Sequence, residues 1–135
     1  MLTKSYLNNL SYKIIGCAIE VNKHLGPGLL ESVYQMCFME ELKMQGLEFR
    51  SQMYIPIVYK EVNLGGTLKI DLLIENEIIV ELKAVEAMIP LYNAQLLSYL
   101  KLSAKTKGLL INFNSEIIKD HITSMVTEDY RALPD

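Results

Sequence analysis

The chain has 135 residues, half of them hydrophobic, and a formal net charge of −3. A chain of that length buries roughly two-thirds of its unfolded surface in one core, so it is expected to form a single domain over residues 1–135, and its composition excludes intrinsic disorder. Only two arginines, Arg50 and Arg131, and no basic run are present, so strong sequence-independent duplex binding is not indicated unless the fold gathers the lysines.

From Leu7 to Leu25 apolar residues recur at helical spacing (Leu7, Leu10, Ile14, Ile15, Ala18, Val21, Leu25), and Gly26-Pro27-Gly28 ends the run. A second helix is predicted from about Leu30 to Gln45, with Val33, Tyr34, Cys37, Phe38 and Leu42 inward and Gly46 as its stop. Phe49 to Val62 reads as a long strand in which Pro56 marks an edge or a bulge. Gly65-Gly66 is expected to turn the chain into the strand of Asp71, and a strand carrying Glu81 and Lys83 follows. Pro90 opens a third helix, roughly Leu91 to Ser103, and Lys107 to Phe113 reads as a buried strand. Asn114 to Tyr130 is amphipathic and fits either a helix or a short helix plus strand. After the first helix the order is α-β-β-β-α-β, an α/β arrangement with a mixed sheet and helices packed against it.

No window nears the ~20 uninterrupted apolar residues of a membrane span, and the N-terminus lacks the compact apolar block of a signal peptide. Cys17 and Cys37 lie in apolar helical patterns, which favours two buried thiols in a reducing cytoplasm over a disulfide. No Cys/His cluster has zinc spacing, and neither His24 nor His121 stands where a catalytic base is indicated.

The run from Leu68 to Ala84 carries the chemistry. Two apolar segments flank Glu75-Asn76-Glu77, yet each holds an ionisable group well inside its apolar stretch, where a lone charge is costly to desolvate. Side chains alternate along a strand, so Glu81 and Lys83 share a face. A three-residue loop, Glu75 to Glu77, pairs Ile74 with Ile78 and sets Asp71 opposite Glu81; a two-residue loop sets Asp71 opposite Leu82. In the first case two carboxylates stand about 5 Å apart with an ammonium beside them, a constellation that calls for a bridging cation. The plain alternative is a surface ion pair, because Glu-x-Lys is a common tripeptide.

The order of elements, with Asp71 on the second strand and Glu81-Leu82-Lys83 on the third, resembles the core of the PD-(D/E)xK nuclease superfamily. Gly28-Leu29-Leu30-Glu31-Ser32-Val33-Tyr34 also fits the motif that gives the small bacterial GxxExxY proteins of that superfamily their name. The blocks Ile79–Val85, Ala94–Lys101 and Gly108–Phe113 resemble that family as well, so the likeness runs from about Leu10 to Val126. Gln95-x-x-x-Tyr99 is similar to a motif of RecB-like nucleases, and its spacing places both side chains on one helix face. Two positions depart from the family pattern: Tyr92 stands where a histidine is usual, and Thr123-Ser124 where a basic residue is.

The resemblance implies a restriction-endonuclease-like αβββαβ core with a mixed four-stranded sheet and an extra N-terminal helix. It implies hydrolysis of phosphodiester bonds in DNA or RNA with Mg2+, or Mn2+ in its place. Asp71 and Glu81 are the first-choice ligands, and the resemblance adds the backbone carbonyl of Leu82. Glu31 is a third ligand or acts through a water; alternatively it only complements its helix's dipole. Lys83 is expected to orient or help deprotonate the attacking water, and Gln95 and Tyr99 to orient Lys83, the water or a phosphate. The rival reading is a non-catalytic nucleic-acid- or protein-binding module that keeps the fold. An edge strand beginning near Phe49 also offers a place for a second copy or a partner protein.

Overall fold

A computed structural model of the chain describes residues 1–135, the side chain of Thr67 excepted. Its elements are helices α1 (Lys4–Leu25) and α2 (Glu31–Met44), strands β1 (Phe49–Tyr59), β2 (Val62–Ile74) and β3 (Ile78–Lys83), helix α3 (Pro90–Ser103), strand β4 (Lys107–Asn112), a 3-10 turn (Ile118–His121), strand β5 (Ile122–Val126) and the short helix α4 (Glu128–Arg131). The helices form where their apolar periodicity requires. Leu7, Leu10, Ile14, Cys17, Ala18 and Val21 are the buried stripe of α1, and Thr3 caps its start by accepting from the Tyr6 N–H. In α2 the buried residues are Tyr34, Phe38 and Leu42, each four apart.

The five strands lie in the order β1-β2-β3-β4-β5; β3 and β4 are parallel, and every other pair is antiparallel. α3 makes the crossover between the two parallel strands, as such a connection demands. One face of the sheet, through Leu72, Ile74, Val80, Leu82, Leu109 and Ile111, packs against α1 and α2. The other face, through Ile55, Ile70, Leu73, Ile79 and Leu110, packs against Leu96 and Leu100 of α3. Gly108 on β4 permits that close approach: a Cβ there would stand 2.9 Å from Cδ1 and 3.2 Å from Cγ of Leu96.

Three sequence-based expectations change. The sheet has five strands and not four, because the undecided tail forms a 3-10 turn and then β5, paired to β4. β1 ends at Tyr59, and the first hairpin turns at Lys60-Glu61, both left-handed (φ 49° and 69°), rather than at Gly65-Gly66. The two glycines lie inside β2, where the register with β1 slips around Pro56; a Cβ on Gly66 would come within 3.2 Å of the Tyr54 Cβ. Cys37 is only half-buried, whereas Cys17 is buried, and both are free thiols. Pro56 does lie on an edge strand. Among the described residues no helix is long and apolar enough to cross a membrane.

Candidate active site

β2 and β3 pair through Leu72–Val80, Leu73–Ile79 and Ile74–Ile78, which is the register of the three-residue loop. Its turn holds two left-handed residues, Glu75 and Asn76 (φ 51° and 57°). The next position in this register sets Asp71 opposite Glu81, and there side chains take over from the ladder. The Asp71 N–H donates to Glu81 Oε1 at 3.0 Å, and the Leu82 N–H donates to Asp71 Oδ2 at 2.9 Å. Each carboxylate thus reaches the other strand's backbone, so the two converge.

The packing shows which face they share. Leu72 and Ile74 belong to the α1/α2 core, and Leu73 to the α3 core, as alternation requires. Ile70, however, is also in the α3 core, so alternation breaks at Asp71, opposite the left-handed Gln52 (φ 52°) of β1. Asp71 keeps the parity of Leu73 and so faces α3, where its charge also acts on Tyr99, and the irregularity brings Ile70 to that same face. Glu81 and Lys83 alternate with Val80 and Leu82, which pack on the other face, and therefore look toward α3 too.

Electrostatics fits that geometry. Glu81 is only 8% exposed. Its pKa is raised to about 8, first by burial and then by the charge of Asp71; the Asp71 amide and the Lys83 ammonium oppose the shift without cancelling it. The Tyr99 hydroxyl is also pushed up, by burial and then by Glu81 and Asp71, which places Tyr99 at the site. Lys83 rests its Nζ 4.4 Å above the centre of the Tyr92 ring, a cation–π contact. Among the described residues the salt bridges are Lys4–Asp135, His24–Glu20 and Arg131–Glu128, and none involves Asp71, Glu81 or Lys83. The surface ion-pair reading of Glu-x-Lys therefore fails.

Glu31 is the first residue of α2. Its carboxyl is raised, first by burial, then by Asp71, with Lys83 pulling the other way; it stands in the field of both. Tyr34, one turn on, is fully buried. It donates its hydroxyl hydrogen to the Gly26 carbonyl at 2.6 Å, accepts from the Leu29 N–H at 3.2 Å, and stacks on Phe113 with 5.2 Å between centroids. That clasp holds the Gly26–Leu29 turn and so aims Glu31.

Leu82 buries its side chain in the α1/α2 core. Its N–H points toward β2, and the N–H and C=O of one strand residue point the same way, so its carbonyl opens on the Asp71 side. The Lys83 carbonyl faces β4, where it accepts from the Phe113 N–H at 2.8 Å. Gln95 lies between Tyr92 and Tyr99 along α3, three and four residues from them. No hydrogen bond ties its side chain to the three charges among the described residues. Nor do three His, Cys, Asp or Glu side chains form a ready metal cage there.

Sequence reasoning missed three contributors. Tyr92 was legible only as a departure from a family histidine, yet it carries the Lys83 ammonium. Asn112 and Asn114 bind the segment after β3 and the turn before α2; their only signal was an Asn-x-Asn at the end of an apolar strand.

A family model described as the PD-(D/E)XK nuclease superfamily matches residues 8–125, all but the two ends of the chain. No curated protein and no solved structure matches it. The match spans β1 to β4, all but the last residue of β5, α3, and the Asp71, Glu81-x-Lys83 and Glu31 positions in one stretch. With its αβββαβ core and carboxylates converging between the second and third strands, the chain belongs to the PD-(D/E)xK nuclease superfamily.

Proposed function

We propose that this protein is a divalent-metal-dependent nuclease that hydrolyses phosphodiester bonds of DNA or RNA as a single domain in the cytoplasm. The observation that carries the reading is the convergence of Asp71 and Glu81 where β2 and β3 part, with each carboxylate hydrogen-bonded to the opposite strand. Two carboxylates and the Leu82 carbonyl are an all-oxygen donor set of the kind Mg2+ takes, with Mn2+ as a substitute. Burial and then the charge of Asp71 hold the Glu81 carboxyl up, and a cation between the two carboxylates would relieve the second of these. Glu31 adds a third carboxylate, directly or through a water. A bound cation supplies Lewis-acid relief of phosphate charge and a template for the attacking water.

The side chains do the rest. Lys83 keeps its ammonium free of carboxylate partners, held on Tyr92, and so offers its hydrogens to the attacking water or a phosphate oxygen. Attack of water forms a new P–O bond and breaks the bond to the leaving oxygen. One water hydrogen stays on the phosphate, the other is released to solvent as the leaving oxygen takes up a proton from it, and the lysine offsets the negative charge of that transition state. Tyr99 and Gln95, on the facing helix, orient the water or the phosphate. The open edge of β1 leaves room for a second copy or a partner protein.

Calorimetric titration with Mg2+ and Mn2+ tests the site. The unsubstituted protein should bind and Asp71→Ala should not; equal heats from both would end the metal reading. A protein that binds nucleic acid yet leaves it uncut with either ion would instead be the non-catalytic module.

A further inference from the structure

The strip Asn112-Phe113-Asn114 at the end of β4 touches both halves of the site at once. Asn112, 2% exposed, accepts from the Val85 N–H at 3.1 Å and donates to the Val85 carbonyl at 2.9 Å, a two-bond grip on the chain two residues past Lys83. Its Oδ1 also accepts from the Asn114 N–H at 3.1 Å, which orients the next asparagine. Asn114 in turn donates to the Val85 carbonyl at 3.3 Å and accepts from the Gly28 N–H at 3.0 Å, three residues before Glu31. Phe113, between them, bonds the Lys83 carbonyl and stacks on Tyr34, which clasps the same Gly26–Leu29 turn. Glu31 and Lys83 lie more than fifty residues apart in sequence. They are brought to register here by one short segment.

We infer that Asn114, oriented by Asn112, is a positioning residue that fixes Glu31 against the Asp71–Glu81–Lys83 group. The segment's apolar contacts with α1 and α2 would hold a fold without these amides; the amides add a specific link between the post-β3 chain and the pre-α2 turn. The amide bonds to Val85 are part-buried and the one to Gly28 is exposed; together they define one arrangement among those packing alone allows. The inference rests on the proposed metal site, since Glu31's placement matters through that site.

The test uses Asn114→Ala, because Asn112 is so deeply buried that its loss would disturb the fold itself. Manganese affinity is measured by calorimetry, and amide hydrogen exchange at Gly28 is followed in the metal-free protein. Tyr130→Phe serves as the control: its hydroxyl bonds Asn8 Oδ1 at 2.9 Å, and Lys107, which bonds the same oxygen, pairs with Ile78 at the other end of β3 from Lys83. The expected result is a loss of Mn2+ affinity on the order of tenfold for Asn114→Ala, with faster exchange at Gly28 and unchanged affinity in Tyr130→Phe. Unsubstituted affinity in Asn114→Ala overturns the inference alone, as does an equal loss in both variants, which would reflect general destabilisation. No Mn2+ binding by the unsubstituted protein overturns the proposed function, and this inference with it.

Discussion

At the scale of single residues, the decisive contrast is between Glu31 as part of the site and Glu31 as a helix-dipole partner. A carboxylate that merely complements a helix N-terminus is stabilised in its charged form. Glu31 shows the reverse: its carboxyl is raised, with burial and Asp71 outweighing Lys83. Glu31→Gln should therefore cost no stability in the metal-free protein while weakening Mg2+ or Mn2+ binding. A drop of about 0.3–1 kcal/mol in unfolding free energy with binding intact would restore the dipole role. Lys83→Ala is expected to remove turnover and leave cation binding nearly whole, since the ammonium is held by Tyr92 and not by the carboxylates. An unaltered cleavage rate in purified Lys83→Ala would mean that the activity belongs to something else. The Asp71–Glu81 opposition was legible in the sequence as the outcome of a three-residue loop, and the observed register selects that loop over the two-residue one. Tyr92, Asn112 and Asn114 were not, because their partners lie across tertiary contacts to which no local period points.

At the scale of elements, the helices and the β2–β3 hairpin follow from local pattern, and the departures come where two strands negotiate with each other. Gly65-Gly66 has the composition of a turn, but the chain turns earlier, at Lys60-Glu61, and uses the glycines to absorb the slip that Pro56 imposes on β1. Only the partner strand reveals that need. The tail was ambiguous for a like reason: Ile122–Val126 becomes a strand by lying along β4, which no amphipathic count can foresee. The seat of α3 depends on Gly108, and Gly108→Ala tests it. The added methyl meets Leu96 at Cγ as well as Cδ1, and the Ile79 carbonyl at 3.3 Å, so rotation of one flexible tip does not clear it. A loss of about 1–3 kcal/mol in denaturant unfolding is expected, with reduced activity because Tyr92 and Tyr99 travel with the helix. Undiminished stability would show that α3 is free to settle further from the sheet.

At the scale of the whole molecule, an acidic chain collects carboxyl groups at one point, where among the described residues no salt bridge pairs them, so pH and metal should act on the same equilibrium. Glu81 holds its proton to about 8 in the folded, metal-free protein, against an ordinary 4.5, and Glu31 shifts in the same direction. Between those limits the folded state binds more protons than the unfolded chain, so stability must fall as pH rises. The contribution is complete below 4.5, is lost progressively, and is gone above about 8. One excess proton gives a slope on the order of 1 kcal/mol per pH unit at most. A divalent cation needs the deprotonated carboxylate, so its binding releases a proton and strengthens with pH over the same interval. Thermal unfolding with chelator present should therefore show a midpoint that declines from pH 5 toward 8, and added Mn2+ should raise the midpoint more at pH 8 than at pH 5.5. Glu81→Gln keeps the shape and removes the titration; it should flatten the chelator curve and abolish most of the metal-induced rise. A midpoint in chelator that climbs with pH, or an equal Mn2+ shift at every pH, would mean that Glu81 is already ionised in the folded protein and that the cation, if bound, sits elsewhere.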